Sequence, residues 1–335
     1  AAVDENGAPL STVLSAAELA EEKEDSEEPR PKSGAASNLS SREQIISSTA
    51  RSIAQQLPAP FDVAHVATVY PVTYSESMNT VLQQELQRYN KLLNTVSSSL
   101  RELGKALKGE IVMSPALDKV ATEIYDGKVP QRWAAHAYPS RKPLAAWMQD
   151  LLARINMFKQ WIEDGVPPVF WMSGFFFTQS FLTAVMQNYA RKYTLPIDTL
   201  AFTFTVLPAD KMPTSPPEDG VYVRGLFLEG ARWDAAGSIS IAGQNSNGLL
   251  AESLPNQLYT SLPVVWLQPK PLHLHTPALT ANTYKCPVYK TSARHGTLTT
   301  LGLSSNFVLA IHLPTDKPSQ HWVKRGTALL CQLDN

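Results

Sequence analysis

Cysteine is nearly missing from this sequence: Cys286 and Cys331 are the only two in 335 residues. They could close one bridge at most, so a disulfide-stapled framework is excluded and reduced, buried thiols are expected. Neither sign of charge is in surplus. The 29 lysines and arginines offset 30 acidic residues, which removes the electrostatic footprint that nucleic acid or an anionic membrane surface would require. We therefore expect no nucleic-acid partner and no membrane partner. No period of about 20 to 50 residues recurs, which excludes a solenoid. The sequence starts at Ala1 without a basic-then-apolar leader, so no signal peptide is expected. The missing initiator Met suggests a piece of a longer polypeptide.

The motifs of common chemistries are also missing. A phosphate loop needs backbone amides and a lysine around a phosphate, written G-x-x-x-x-G-K-[ST]. At Gly104-Lys105, Ala106 follows, Ser99 stands where the first glycine belongs, and the site lies inside a helical pattern. No G-x-S-x-G elbow presents a serine nucleophile, and Ser173 in "WMSGF" reads as a helix N-cap. His273 and His275 form an "HLH" without a third ligand nearby, so they read as a solvated or packed pair. Cys286 near His295 or His312 could be imagined as a nucleophile pair, but a thiol in a strand reads as core. Most of the seven tryptophans fall at buried positions of the pattern. We assign no catalytic, no cofactor-binding and no metal-binding residue.

What the sequence does hold is period. Leu82, Leu86, Tyr89, Leu93, Val96, Leu100, Leu103 and Leu107 alternate steps of four and three, which predicts one helix over about Ser77 to Lys108. A helix is expected over Arg42 to Gln56, ended by "LPAP". A short one is capped by Ser114, opened by Pro115 and stopped at Gly127. A further seam runs from Leu144 to Ile162 and stops at Gly165. The uncharged run "VFWMSGFFFTQSFLTAVM" follows and approaches the length of about 20 apolar residues that spans a bilayer. Yet Ser180, Thr183, Gln187 and Arg191 step by three, four and four along one side, with Phe177, Phe181 and Val185 away from them. We read a core helix from about Gly174 to Tyr193, with those three apolar residues buried.

After Pro196 the period becomes alternating. "LAFTFTV", "GVYVRGLFLEGARW", "LPVVWLQP", "YKCPVYKT", "NFVLAIHLP" and "HWVKRGTALLCQL" all read as strands. Residues 235–249 read as a surface insertion. The fold class expected is α+β, an N-terminal helical bundle followed by a small antiparallel β-barrel of about six strands.

Several runs also carry a family signal: "SMNTVLQQELQRYNKLL", "YPSRKPLAAWMQDLLARI", "FWMSGFFFTQSFLTAVMQNYARKYTLPIDTL", "EDGVYVRGLFLEGARWD", "YKCPVYKTSARHGTL" and "HWVKRGTALLCQLDN". In order, and from about Leu57 onward, they closely resemble the C-terminal region of axonemal dynein heavy chains. The resemblance implies a non-catalytic structural and regulatory module of a minus-end-directed microtubule motor. Such a module would pack on the AAA ring of the same heavy chain, with microtubules and other dynein subunits as indirect partners, in the cytoskeleton of a ciliary or flagellar axoneme. ATP and Mg would belong to AAA modules upstream, which carry the motor ATPase, and no cofactor belongs to this segment. It further implies a flexible acidic leader or loop over 1–41 and a helical junction to the sixth AAA module over 42–76. A helical half over 77–195 and a barrel half over 196–335 would follow. Leu301 and Leu303 depart from the family pattern, as does the insertion, and the leader before Arg42 has no counterpart that aligns. The competing readings are a free-standing barrel that binds a ligand or peptide, and a hydrolase without a recognisable motif.

Overall fold

The computed structural model describes residues 40–241, 244–274, 282–294 and 306–335. Its helices are α1 (Ser41–Gln56), α2 (Val63–Val69), α3 (Ser77–Leu107), α4 (Pro115–Tyr125), α5 (Gln131–Ala134), α6 (Leu144–Asp164), α7 (Thr178–Lys192) and α8 (Ser319–Lys324). Local chemistry sets several of these bounds. Ser40 and Glu43 form a reciprocal capping box on α1, satisfying two amides that the first turn cannot. Ser114 accepts from the Leu117 amide with Pro115 next to it, and Gly127 takes a φ of +65° to end that helix, as the pattern predicts.

The molecule divides into two compact units. Among the described residues, the first comprises 40–60, 91–136 and 142–150, and its elements are helices. Buried in it are Ile46 and Ile53 of α1, Leu117 and Ile124 of α4, which packs on α1, and Leu100 and Leu103 of α3. The rings of Trp133 and Trp147 stack at 6.0 Å, and the Trp133 indole N–H donates to the Ser99 hydroxyl at 2.7 Å. A buried indole needs such a partner to offset its lost water.

The second unit, residues 61–90, 137–141 and 151–335, holds α7, α8 and every strand found among the described residues. The strands are β1 (Val169–Trp171), β2 (Leu200–Val206), β3 (Val221–Arg224), β4 (Phe227–Glu229), β5 (Arg232–Asp234), β6 (Ser240–Ile241), β7 (Gln244–Asn245), β8 (Leu249–Ala251), β9 (Tyr259–Ser261), β10 (Val265–Pro271), β11 (Thr283–Tyr289), β12 (Phe307–Pro314) and β13 (Ala328–Leu330). One sheet has the order β1-β3-β10-β2 and another the order β12-β11-β13-β4-β9, with β5 on β8 and β6 on β7 as two-stranded ribbons. The α+β class expected from the sequence is the one observed.

The sheets differ from the antiparallel expectation in two places. Strand β1 runs parallel to β3, with Phe170 opposite Val223, and β11 runs parallel to β13, with Val288 opposite Leu329. Among the described residues both larger sheets are open, so no closed barrel is formed by their ladders. The run Gly220 to Trp233, read as one strand, is three. Gly225 and Gly230 interrupt it at φ +82° and +73°, backbone that L side chains rarely adopt. The run "HWVKR" is helical instead of extended: α8 buries Trp322 fully, and Gly326 follows at φ +64°. The insertion carries the β6–β7 hairpin.

An aromatic cluster fills the second unit. Phe175 meets Phe181 at 4.4 Å, Phe170 meets Phe181 at 5.1 Å, and Trp161 meets Phe170 at 5.2 Å. No helix among the described residues is long and apolar enough to cross a membrane.

Candidate functional site

The opening of α7 departs from its sequence reading. The helix starts at Thr178 and not at Gly174, because Met172–Gly174 form a 3₁₀ turn after β1. Ser173 caps nothing: its hydroxyl donates to the Cys331 carbonyl, a partner 158 residues away. Phe177 occupies the N-cap position and offers no side-chain acceptor to the first turn.

Glu85 of α3 does the capping instead. Its carboxylate accepts from the Phe176 amide at 2.5 Å and the Phe177 amide at 3.2 Å, and it pairs with Arg88 at 2.7 Å. The side chain is fully buried. Burial pushes its pKa up from the ordinary 4.5, against the two amides and Arg88, which pull it down. A carboxylate beside a helix N-terminus satisfies amides that no residue within the helix can reach.

Between α3 and α7 runs a groove of about 620 Å³. Its α7 wall is the stripe seen in the sequence, Ser180, Thr183, Gln187 and Arg191, and its α3 wall is Ser77, Thr80, Val81 and Gln84. The Ser77 hydroxyl ties the walls together at one end, donating to Gln187 and accepting from Arg191 at 2.6 Å. The rim carries Val72, Tyr74 and Phe177. Phe177 is expected from the sequence to be buried; it is 45% exposed, whereas Phe181 and Val185 are buried as expected.

A second concavity, about 460 Å³, lies where β2 and β12 face each other. Phe202, Phe204, Trp233 and Leu309 line it with threonines, asparagines and His312, and no Asp, Glu, Lys or Arg takes part among the described residues. The Phe204 and His312 rings stack at 6.3 Å.

The residues weighed for chemistry are dispersed. Gly104 and Lys105 lie in α3, where helical backbone cannot wrap a phosphate. His273 lies in the 3₁₀ turn after β10, while His275, His295, Leu301 and Leu303 fall outside the described residues, as does the leader up to residue 39. Cys286 and Cys331 are both free and buried, and burial pushes the Cys331 thiol up to about 12. No group of three His, Cys, Asp or Glu among the described residues could hold a metal ion.

The sequence comparisons place this chain in a family. The family model for the C-terminal domain of the dynein heavy chain matches residues 9–331. It includes most of the acidic segment that had no counterpart in the resemblance. The sequence is 52% identical over 297 residues to dynein axonemal heavy chain 3 of Homo sapiens, covering 88% of this chain and 7% of that protein. Against dynein axonemal heavy chain 12 of Mus musculus it is 50% identical over 295 residues, 88% of this chain and 9% of that one. Against dynein axonemal heavy chain 1 of Homo sapiens it is 48% identical over 306 residues, 91% and 7%. It thus spans 7% to 9% of the length of these relatives.

Proposed function

Because this protein belongs to the family of C-terminal domains of dynein heavy chains, we propose that it is a non-catalytic structural and regulatory module of an axonemal motor. In this reading it packs on the AAA ring of its own heavy chain and tunes force and stepping in ciliary or flagellar beating. Residues 42–76 serve as the junction to the sixth AAA module. Nucleotide chemistry sits upstream, and the movement is minus-end-directed along microtubules. The observation that carries the reading is the family match over residues 9–331. The facing edges of β2 and β12, joined by the Phe204–His312 stack, support treating the two larger sheets as one barrel-like body.

A module without reacting groups acts on a motor only by stabilising some ring conformations more than others, since interactions equal in all states shift no equilibrium. Such coupling is typically about 1–3 kcal/mol. That is enough to alter force several-fold with the nucleotide chemistry intact. The experiment compares the full motor with one ending at residue 76, its uncovered surface made soluble by substitution. A cut at Pro196 would sever β1 from β3 and Arg154 from Gln332, so the upstream end-point is the cleaner one. Basal ATPase should persist while stall force, run length or gliding velocity changes in optical-trap and gliding assays. Unchanged force and velocity would overturn the regulatory reading.

A further inference from the structure

The rim of the α3/α7 groove is apolar where local preference gives no reason for it. Phe177 stands at an N-cap, a position that favours Ser, Thr, Asp or Asn, and it is left half-exposed. Val72 and Tyr74, 62% and 80% exposed, line the same groove. Departures from local preference gather at functional positions. The walls are low because they carry small side chains, Ser77 and Thr80 on α3 and Ser180, Thr183 and Ala184 on α7. Both walls are helices whose interior amides and carbonyls bond within the helix, so the groove offers no ladder edge to an extended strand. A third helix laid between two helical ridges is the occupant that this shape accepts.

Charge narrows the occupant further. Among the described residues, Arg191 is the single charged one lining the groove. Its guanidinium holds the Ser77 hydroxyl and lies 4.4 Å over the Tyr74 ring, and no carboxylate pairs with it among the described residues. We propose that the groove docks an amphipathic helix of a partner segment, with large apolar side chains against Val72, Tyr74 and Phe177 and one acidic residue on Arg191. The proposal rests on the groove, and only the setting of its test is taken from the motor reading.

The test places a benzophenone amino acid at Thr183, on the groove wall, in the full heavy chain within isolated axonemes, and identifies the cross-linked peptide by mass spectrometry. The expected product is a segment with apolar residues at helical spacing and an Asp or Glu among them. Arg191→Glu should lower its yield about tenfold, as loss of a charged pair in an interface does, while Arg191→Lys keeps most of it. Tyr74→Ala, at a side chain too exposed to carry the fold, should also lower the yield. Absence of a cross-link would overturn the proposal, as would a second copy of this chain, a basic or strand-forming segment, or a yield indifferent to Arg191→Glu. A motor that loses force control on truncation yet gives no cross-link would leave the functional reading standing and sink this one.

Discussion

The two faces of α7 share one helix and one period but differ in what they meet. One face buries Phe181 and Val185, and Phe181 sits fully buried among Phe170 and Phe175. The other lays Ser180, Thr183, Gln187 and Arg191 along an open groove. The first face carries stability, because buried apolar area and close packing dominate folding energetics. The second carries little, and so is free to be used in recognition. If that division is right, equal-sized changes on the two faces should separate cleanly by their cost.

The largest effect is expected at Phe181→Ala, which removes a ring from a filled cluster and should cost about 3–5 kcal/mol. A denaturation midpoint unchanged from the parent would break the comparison at its strongest point. Next comes Gly225→Ala. A Cβ there would lie 2.4 Å from the Trp171 ring, on backbone at φ +82°. Strain of this kind costs about 1–3 kcal/mol, read by the same denaturation assay.

Glu85 sharpens the comparison by pH. Its carboxyl has a pKa raised in the folded state, with burial as the main cause. The folded state therefore holds that proton more tightly than the unfolded state does, so the stabilisation is complete below the ordinary value of 4.5 and is lost as pH rises through the folded value. The parent should accordingly lose stability relative to Glu85→Gln as pH rises from below 4.5 toward neutrality. Paired urea titrations on both sides of that value measure the difference, and a difference independent of pH would show that the two amides and Arg88 fully offset the burial of Glu85.

Much of the helical part was legible because burial on one face imprints a period. The ends of α1, α3 and α6 fall within about two residues of the expected ones, the usual scatter of helix termini. Beginnings and pairings that depend on distant partners were not legible. Ser173 looks like a cap because the signal is local, but its hydroxyl is claimed by the Cys331 carbonyl. The amides at the start of α7 are claimed by Glu85, 91 and 92 residues away. Parallel pairing of β1 with β3 leaves no mark in either strand. Other signals were present and unread: Gly225 and Gly230 inside one strand run, and Pro318 and Gly326 around the stretch that forms α8. The groove was half-visible. Its α7 stripe stands in the sequence, whereas the facing wall from α3 and the exposed Phe177 needed the fold.

The smallest effect is expected on the groove face itself. Thr183→Ala and Arg191→Gln remove side chains that end in the groove, and neither leaves a buried polar group stranded. Thr183 is exposed and makes no side-chain bond among the described residues, while Arg191 gives up only the Ser77 hydroxyl and the Tyr74 ring. Ser77 keeps its bond to Gln187 at 2.8 Å. Surface changes of this sort stay within about ±0.5 kcal/mol, an order of magnitude below Phe181→Ala on the opposite face. Thermal and urea midpoints of the two variants, measured beside Phe181→Ala, decide the matter. A loss of about 2 kcal/mol or more at Thr183 or Arg191 would place the stripe among the groups that hold the fold together, and the two faces of α7 would then differ in polarity but not in purpose.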